Sequence, residues 1–393
     1  MKNVWIVSAT RTPVGRFMGG LASLSAPRLG GIAIQEALKR AGVEGGQVDE
    51  VIMGNVVQAG LGQNPARQAA LAAGMPDSTN AFTVNKVCGS GLKAVMLAAQ
   101  AIRAGDAEAV VAGGTESMSN APYLLPKGRS GYRYGNGEVL DALVSDGLTC
   151  AYNHCHMGNL AEFTAANSKL TRAELDQFAF ESQKKAAQAQ AEGKFAAEIV
   201  PVVLPQKKGE PLKVAADEGV RADTTLESLA KLKPAFDPSG VVTAGNASTL
   251  NDGAAALVLM SEDRARAKGL KPLARVTGYA SGHVEPKRLF YAPVVAVKSL
   301  LEKTGAKIGD YDLIEANEAF ASQSLADGRE LGWDWARVNV WGGAIAIGHP
   351  IGASGARILV TLLHAMADRR AKRGMATLCL GGGGAVALAV EAV

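Results

Sequence analysis

The sequence predicts an α/β fold made of two similar domains with a third segment inserted between them. Short apolar segments alternate with amphipathic segments along most of the 393 residues, which predicts alternating strands and helices. The 46 glycines suit a fold in which many strands meet helices in tight turns. The order of elements up to Ser119 recurs after Pro272. Alternation of this kind predicts a mostly parallel sheet.

The elements of the first half follow from the spacing of apolar residues. The predicted helix over residues 26–41 is amphipathic, with Ser25 as its N-cap. In order, the predicted elements are a strand over Lys2–Ser8, a helix over Ala26–Ala41, a strand over Glu50–Val57, a helix over Pro65–Ala73, a strand over Ala81–Val87, a helix over Leu92–Ile102 and a strand over Ala109–Gly114.

The character of the chain changes near Ser119. Pro- and Gly-rich loops and long polar helices follow, which predicts an inserted loop domain. Thr171-Arg172-Ala173-Glu174 is a capping box that opens a helix ending near Ala191. Buried-strand character returns at Ala254–Met260. We predict an N-terminal domain of residues 1–119 and 249–271, a loop domain of residues 120–248 and a C-terminal domain of residues 272–393.

The second half repeats the first in order and approximate spacing, which we interpret as a duplication. Strand–helix alternation by itself can produce a similar pattern, so the repeat is a hypothesis. The matching pairs are Pro272–Tyr279 with the first strand, Pro293–Thr304 with the first helix, Asp310–Asn317 with Asp49–Asn55, Val338-Asn339 with Val84-Asn85, and Met375–Gly383 with Ala109–Gly114.

Cys88 lies between a predicted strand and a predicted helix, in the segment Asn85–Lys93. The unpaired N–H groups and the dipole of a helix N-terminus favour an anion. A thiolate there is expected to have a lowered pKa and to act as a nucleophile. Gly89 and Gly91 allow the backbone to approach a bound substrate. The alternative is a buried, unreactive cysteine, which is common among free cysteines.

Two Gly-rich turns near the end of the chain also carry reactive side chains. Gly348–Gly355 presents His349 at a helix start, and Cys379 precedes a glycine run whose N–H groups can bind an oxyanion. Each motif alone is usually structural. Because equivalent strand ends of duplicated domains converge, we expect both turns to lie near Cys88.

Composition argues against several classes of function. The formal charge of +4 is small, and no Lys/Arg cluster alternates with aromatics, so we expect no nucleic-acid partner. Four unevenly spaced cysteines favour a reducing compartment over a disulfide framework. No apolar run reaches membrane-spanning length, and the chain starts directly with a strand. We therefore expect a cytoplasmic protein with no signal peptide and no membrane segment.

Together these motifs resemble those of the thiolase family, over essentially the whole chain. The set is most similar to the short-chain acetyl-CoA acetyltransferases, which condense two acetyl-CoA into acetoacetyl-CoA and CoA. The resemblance implies a five-layered αβαβα fold from two duplicated domains, with an inserted loop domain, usually as a homotetramer. The segments that carry it are Asn85–Gly91, His156–Gly158, Ala244–Ser248, Asn317–Ala321, Gly348–Gly355 and Cys379–Gly383.

The resemblance also implies a role for each catalytic residue. Cys88 takes the acetyl group while His349 accepts its proton. Cys379 removes the α-proton of the second acetyl-CoA, and His349 with a water held by Asn317 stabilises the enolate oxygen. The backbone N–H groups of Cys88 and Gly381 form the second oxyanion hole. No metal and no redox cofactor is expected.

By resemblance, the CoA arm is bound by a set of residues from the loop domain and its neighbours. Arg221 suits a phosphate, although a surface Arg is more often solvated. Lys127, Arg129 and Arg133 lie where relatives build tetramer contacts, and a solvated loop is an equally good interpretation. The expected CoA residues are Leu148, His156, Met157, Arg221, Phe236, Ser248 and Phe320.

One cluster suggests a different site. Cys150, His154, Cys155 and His156 lie close together, as zinc ligands often do. The two cysteines lack the usual close spacing, however, and His156 already fits the family motif. We therefore expect no metal site.

Other functions fit parts of the sequence. The nearest alternative is a degradative 3-ketoacyl-CoA thiolase of broader chain length, although the His-Met pair at residues 156–157 favours the short-chain type. A β-ketoacyl synthase would lack Cys379. A non-catalytic, thiolase-like CoA or lipid carrier would lack a nucleophile or base. A dinucleotide-binding module would not place its glycines so near the C-terminus.

The chain departs from the usual thiolase pattern in three places. Leu289–Val294 replaces a common Gly-Pro-Val-Pro-Ala stretch, Trp341 replaces an Asn, and Gly384 replaces a bulky residue. The first segment is expected to lie over the acyl group, with Phe290 or Tyr291 pointing in or out. The chain-length range, the tolerance of branched acyl groups and the physiological direction are therefore open at this stage.

Overall fold

The structure of the chain, a computed structural model, describes residues 2–206 and 209–393. Met1 of the predicted N-terminal domain and residues 207–208 of the predicted loop domain lie outside the described residues. The elements up to Ser119 are β1 (Val4–Arg11), β2 (Gly15–Arg16), α1 (Ala26–Ala41), β3 (Glu50–Gly54), α2 (Pro65–Ala72), β4 (Asn80–Val84), α3 (Ser90–Ala104) and β5 (Ala109–Ser117).

The remaining elements follow in chain order. Those of the predicted loop domain are β6 (Tyr123–Leu124), β7 (Leu140–Asp141), α4 (Met157–Asn167), α5 (Arg172–Ala191), β8 (Val202–Leu204), β9 (Leu212–Val214) and α6 (Leu226–Ala230). Those after it are β10 (Asn251–Ser261), α7 (Glu262–Ala267), β11 (Ala274–His283), α8 (Ala292–Thr304), β12 (Leu313–Ala316), α9 (Ala321–Leu331), α10 (Ala344–Ile347), α11 (Ile351–Arg369), β13 (Arg373–Leu380) and β14 (Gly384–Glu391).

Each half contributes a mixed group of strands, which we call the first and the second sheet, and the order of strands is the same in both except that β4 has no counterpart. The first sheet has the order β4-β3-β5-β10-β1, and the second has the order β12-β13-β14-β11. β10 and β14 run antiparallel to both of their neighbours, so the prediction of a mostly parallel sheet is wrong for the strand pairing. β14 follows β13 through a turn of three residues, which is far too short for the crossover that a parallel pair needs.

Equivalent hydrogen bonds in the two halves support the duplication. Asp49, just before β3, accepts two backbone N–H groups at the start of β5, at 2.8 and 2.9 Å. Asp312, just before β12, accepts two at the start of β13, also at 2.8 and 2.9 Å. α1 and α8 both have a proline in the first turn and end at a left-handed glycine, Gly42 and Gly305.

Five layers result from this arrangement. α1 and α2 cover the outer face of the first sheet, and α8 covers that of the second, with α9 packed beside α8. α3 and α11 lie between the sheets, where their apolar faces share one buried core with both. The two helices approach closely at Gly355, where a Cβ would lie 2.4 Å from the backbone N of Leu92. The sheets join where β1 pairs with β11, Trp5 opposite Arg275.

Buried ion pairs connect the loop region to β1. Arg11 lies 2.6 Å from Glu198 and 2.7 Å from Asp217, and all three side chains are fully buried. Removing one partner of such a pair typically costs about 3–5 kcal/mol because a charge is left uncompensated.

We propose the three domains predicted from the sequence, namely residues 1–119 with 249–271, residues 120–248 and residues 272–393. β10 belongs to the first sheet although it follows the loop region. Among the described helices, none has the length and apolar character needed to cross a membrane.

Candidate active site

Cys88 lies in a tight turn between β4 and α3. Val87 has a φ of 48°, a left-handed conformation that β-branched residues rarely adopt. The N–H groups of Gly89 and Ser90 close the turn on the carbonyls of Lys86 and Val87, at 3.1 and 3.0 Å. Such strain persists only where the surroundings impose it, and it often accompanies a functional site.

The pKa of the Cys88 thiol is raised to about 12, mainly because burial disfavours the thiolate. The backbone N–H groups of Cys88 and Gly381 lower this pKa, and the nearby Glu116 raises it. The prediction of a lowered pKa is therefore wrong, because desolvation outweighs the effect of the helix N-terminus. At neutral pH the thiol keeps its proton until a base accepts it.

His349 lines the same cavity as Cys88. Its Nδ1 lies 2.6 Å from the hydroxyl oxygen of Ser354, and this hydroxyl donates to the carbonyl of Pro350 at 2.9 Å. The hydroxyl has one proton for these two acceptors; when it donates to Pro350, Nδ1 carries the imidazole proton and Nε2 is the acceptor. Burial, with a contribution from Arg357, lowers the pKa of His349 to about 3, so the ring is neutral. The backbone N–H of His349 donates a hydrogen bond to Asn251 Oδ1 at 2.8 Å.

Cys379 lies at the end of β13, opposite Ala385 of β14. Burial raises the pKa of its thiol well above the ordinary value, and Cys88 and Asp327 raise it further. A thiolate formed there is a strong base. Gly381 follows in the turn after β13, and its backbone N–H lowers the pKa of the Cys88 thiol. The turn therefore brings a second thiol and a hydrogen-bond donor to Cys88.

Asn317 follows β12 and contacts His349, with 3.5 Å between Asn317 Nδ2 and His349 Nδ1. Its Oδ1 is buried without a hydrogen-bond partner among the described residues. The next residue, Glu318, accepts hydrogen bonds from Ser182 at 2.6 Å and from Asn339 at 2.9 Å. These bonds fix the segment and leave the Asn317 amide oxygen available to a water molecule.

One cavity of about 650 Å³ collects nearly all of the predicted site residues, with Asn317 just behind its lining beside His349. His156 stacks on Phe236 with 4.9 Å between ring centroids, and Phe236 lies 6.1 Å from Phe320. Arg221 is exposed at the cavity. The predicted residues that line it are Cys88, Leu148, His156, Met157, Arg221, Phe236, Ser248, Phe320, His349, Cys379 and Gly381.

The segment that departs from the usual pattern forms part of the cavity wall. Leu289 and Phe290 line the cavity together with Met157, and the Phe290 ring lies 5.3 Å from that of Phe320. Tyr291 points away, since its hydroxyl bonds to Asn167 at 2.8 Å and to Ser168 at 2.6 Å. The side chain of Phe290 therefore points into the cavity, and that of Tyr291 does not.

The cluster at residues 150–156 is not arranged as a metal site. Cys150 Sγ contacts Asn153 at 3.4 Å, and His156 Nδ1 accepts the N–H of Gly158 at 3.0 Å. In the part of the chain that the structure describes, no three His, Cys, Asp or Glu side chains converge as metal ligands.

Sequence reasoning did not identify Glu116, a buried acid at the end of β5. Its carboxylate accepts hydrogen bonds from the amide of Asn55 at 2.9 Å and the N–H of Val56 at 3.1 Å, both after β3. It also accepts the N–H of Gly352 at the start of α11, at 2.9 Å. Burial raises the pKa of Glu116 to about 8. The available signal was an acidic residue at the end of a buried, otherwise apolar strand.

Comparison with known proteins identifies the family. Residues 4–263 match the model for the thiolase N-terminal domain, and residues 270–392 match that for the C-terminal domain. The chain belongs to the thiolase family. The five-layered thiolase fold predicted from the sequence is confirmed, since the crystal structure of a Bacillus anthracis acetyl-CoA acetyltransferase superimposes with a TM-score of 0.98. That alignment covers 100% of this chain and 99% of the other, at 46% identity.

Curated relatives of this thiolase share its full length. The acetyl-CoA acetyltransferase of Pseudomonas aeruginosa is 59% identical over 388 residues, which cover 99% of each chain. That of Escherichia coli is 57% identical over 392 residues, covering 100% of this chain and 99% of its own. The prediction that the chain is a thiolase, and the recognition of acetyl-CoA acetyltransferases as its relatives, are confirmed.

Proposed function

We propose that the chain is an acetyl-CoA C-acetyltransferase, which condenses two acetyl-CoA into acetoacetyl-CoA and CoA and catalyses the reverse thiolysis. The observation that carries this proposal is the presence of two cysteines, Cys88 and Cys379, with the neutral His349 in one cavity. A thiol is both a nucleophile and a leaving group, and a second thiol supplies a separate base. The relatives with this printed name support the proposal.

In the first half-reaction, the sulphur of Cys88 attacks the thioester carbonyl of acetyl-CoA. His349 Nε2 accepts the thiol proton as the S–C bond forms, and the proton passes to the departing CoA sulphur. The N–H groups of Cys88 and Gly381 both lower the pKa of the reacting thiol, and they suit the oxygen of the tetrahedral intermediate. Losing one such donor typically costs about 3 kcal/mol of transition-state stabilisation.

In the second half-reaction, Cys379 loses its thiol proton to solvent, and the thiolate formed removes a methyl proton from a second acetyl-CoA. The neutral His349 and a water held by Asn317 stabilise the enolate oxygen. The carbanion attacks the acetyl carbon, a C–C bond forms, the C–S bond to Cys88 breaks, and the departing Cys88 sulphur takes up a proton from solvent. Both steps use protein groups, so we propose that neither a metal nor a redox cofactor takes part.

The other residues of the cavity suit binding of CoA. His156, Phe236 and Phe320 form an aromatic wall, while Ser248 offers a hydroxyl for the pantetheine amide and Arg221 a cation for a phosphate. The side chain of Phe290 points into the cavity and reduces the space for an acyl group, which favours short acyl groups over long ones. This favours the proposed function over that of a degradative 3-ketoacyl-CoA thiolase.

We also propose a homotetramer that acts in the cytoplasm. The segment that follows β5 exposes large apolar side chains, among them Tyr123, Leu125 and Val139, each more than half exposed in the single chain. Contiguous exposed apolar side chains of this kind mark protein contacts. Light scattering of the purified chain tests the number of subunits.

The experiment that tests the proposed activity is mass spectrometry after incubation with acetyl-CoA. A single acetyl group on Cys88 is expected, together with release of CoA. The Cys88→Ala variant should bind no acetyl group and show no thiolysis of acetoacetyl-CoA. An acetyl group on Cys379 or Cys155 would contradict the assignment of the nucleophile, and no acetyl group on any residue would contradict the function.

A further inference from the structure

Cys150 and Cys155 face each other across a hairpin that the proposed reaction does not use. The bridge between Thr149 and His156 places the two cysteines directly opposite one another in the next register position. The N–H of Cys150 donates to the carbonyl of Cys155 at 2.8 Å, so this position is paired. Directly opposite residues of an antiparallel pair put their side chains on the same face.

The surroundings of the two thiols differ. Cys150 is buried, at 1% exposure, and Cys155 is partly exposed, yet both pack against the same apolar cluster. The turn between them is closed by the N–H of His154, which donates to the carbonyl of Cys150 at 2.8 Å, with His154 in the left-handed region at φ 49°. One cysteine is therefore partly accessible to a reagent, and the other is buried.

The hairpin also contacts the active site at both ends. Leu148, before it, and His156 and Met157, after it, line the cavity. At its tip the ring of Tyr152 packs on Gly382, where a Cβ would lie 3.4 Å from Tyr152 Cε2. A change in the spacing of the two hairpin strands therefore reaches the wall of the cavity and the turn that follows Cys379.

We infer that Cys150 and Cys155 are a site of reversible oxidation to a disulfide, driven by a low-molecular-weight organic disulfide. The thiolate of one cysteine attacks the reagent, forms a mixed disulfide and expels one thiol. The second cysteine then attacks the mixed disulfide, forms the Cys150–Cys155 bond and expels the other thiol. Two protein thiols are oxidised to one disulfide, and one reagent disulfide is reduced to two thiols. The two protons lost by the cysteines are taken up by the two thiols released from the reagent.

Closure of this bond moves residues of the cavity wall. Opposite Cβ atoms of an antiparallel pair are about 4.5–5.5 Å apart, whereas those of a disulfide are about 3.8 Å apart. The hairpin strands must therefore approach, and His156 and Met157 move with them. Because neither Cys150 nor Cys155 lines the cavity that holds Cys88, we expect a severalfold rise in KM for acetoacetyl-CoA and a smaller change in kcat.

The experiment uses the full-length Cys88→Ala variant, in which an internal bond between Cys88 and Cys379 cannot form. Treatment with oxidised glutathione followed by peptide mass mapping should show a Cys150–Cys155 cross-link that dithiothreitol reverses. Mapping of the wild-type chain provides the same readout if the variant does not fold. A stable glutathione adduct on Cys155, or full alkylation of both thiols by iodoacetamide after oxidation, would overturn the inference.

A kinetic measurement then tests the effect of the disulfide on the cavity. This kinetic test rests on the proposed function, whereas the mass mapping of the cross-link does not. The wild-type chain, Cys150→Ser and Cys155→Ser are each assayed before and after oxidation. The rise in KM should occur in the wild type and be absent from both variants. The same rise in either variant would place the effect on Cys88 or Cys379 and contradict the coupling of the hairpin to the cavity.

Discussion

The Nδ1 atom of His349 lies 2.6 Å from the hydroxyl oxygen of Ser354, in the first turn of α11. When this hydroxyl donates to the carbonyl of Pro350, it accepts the Nδ1 proton and leaves Nε2 free to accept another. In this arrangement Ser354 selects the imidazole tautomer, as a carboxylate does in other enzymes that use a histidine base.

Replacing Ser354 by Ala should lower kcat for thiolysis about tenfold, since one buried hydrogen bond contributes about 1 kcal/mol or slightly more. KM should change little, because Ser354 is 0% exposed and does not line the cavity. Steady-state kinetics measure both values, and Ser354→Thr is the control that keeps a hydroxyl. Unchanged kcat in Ser354→Ala would mean that another group orients His349.

The raised pKa of Cys88 predicts how its reactivity depends on pH. With a pKa of about 12, the thiolate fraction rises through the whole neutral and mildly alkaline range. Alkylation by iodoacetamide in the absence of substrate should therefore accelerate up to tenfold per pH unit between about pH 6 and 9, without a plateau.

Stopped-flow alkylation with peptide mapping measures this rate, and Cys88→Ala gives the background from the other thiols. An ordinary thiol would approach a plateau near its pKa of about 8.5. A plateau below about pH 8 would instead support the lowered pKa expected from the helix N-terminus alone.

Replacing Cys379 by Ala should separate the two half-reactions. Acetylation of Cys88 should persist at a reduced rate, since His349 still accepts its proton. Exchange of the acetyl-CoA methyl protons in heavy water should fall by at least about a hundredfold, as expected when a general base is removed. NMR of the methyl group measures the exchange, and the mass of the acyl-enzyme is the internal control. Normal exchange in this variant would identify another base.

Replacing Phe290 by Ala should widen the acyl site. The wild-type chain should cleave acetoacetyl-CoA at least about tenfold more efficiently than 3-ketohexanoyl-CoA, because each misplaced methylene in a tight pocket costs about 1–3 kcal/mol. In the Phe290→Ala variant, the ratio of kcat/KM for acetoacetyl-CoA to kcat/KM for 3-ketohexanoyl-CoA should be smaller than in the wild type.

Tyr291→Phe is the matched control for this prediction, since it removes a hydroxyl that bonds to Asn167 and Ser168 outside the cavity. We expect it to leave the ratio of kcat/KM values unchanged. Equal efficiency of the wild type on four- and six-carbon substrates would favour the degradative thiolase.

Many of the elements were predictable from local patterns. The spacing of apolar residues predicted α1 over Ala26–Ala41, as observed. Glycines mark the strand and helix ends at which Cys88, His349 and Cys379 lie. The antiparallel course of β10 was not predictable, because strand pairing depends on contacts between distant segments. The raised pKa of Cys88 was not predictable either, because it depends on burial by residues of both halves.

The position of β10 has a consequence for synthesis of the chain. This strand supplies the ladder partner of both β1 and β5, yet it begins at Asn251, after the whole loop region. A ribosome-bound chain that ends before Asn251 therefore exposes β5 as an open edge and leaves β1 without its main neighbour. Open edges of this kind are where nascent chains aggregate or bind chaperones. The first sheet is thus completed late in translation, when the loop region has already emerged.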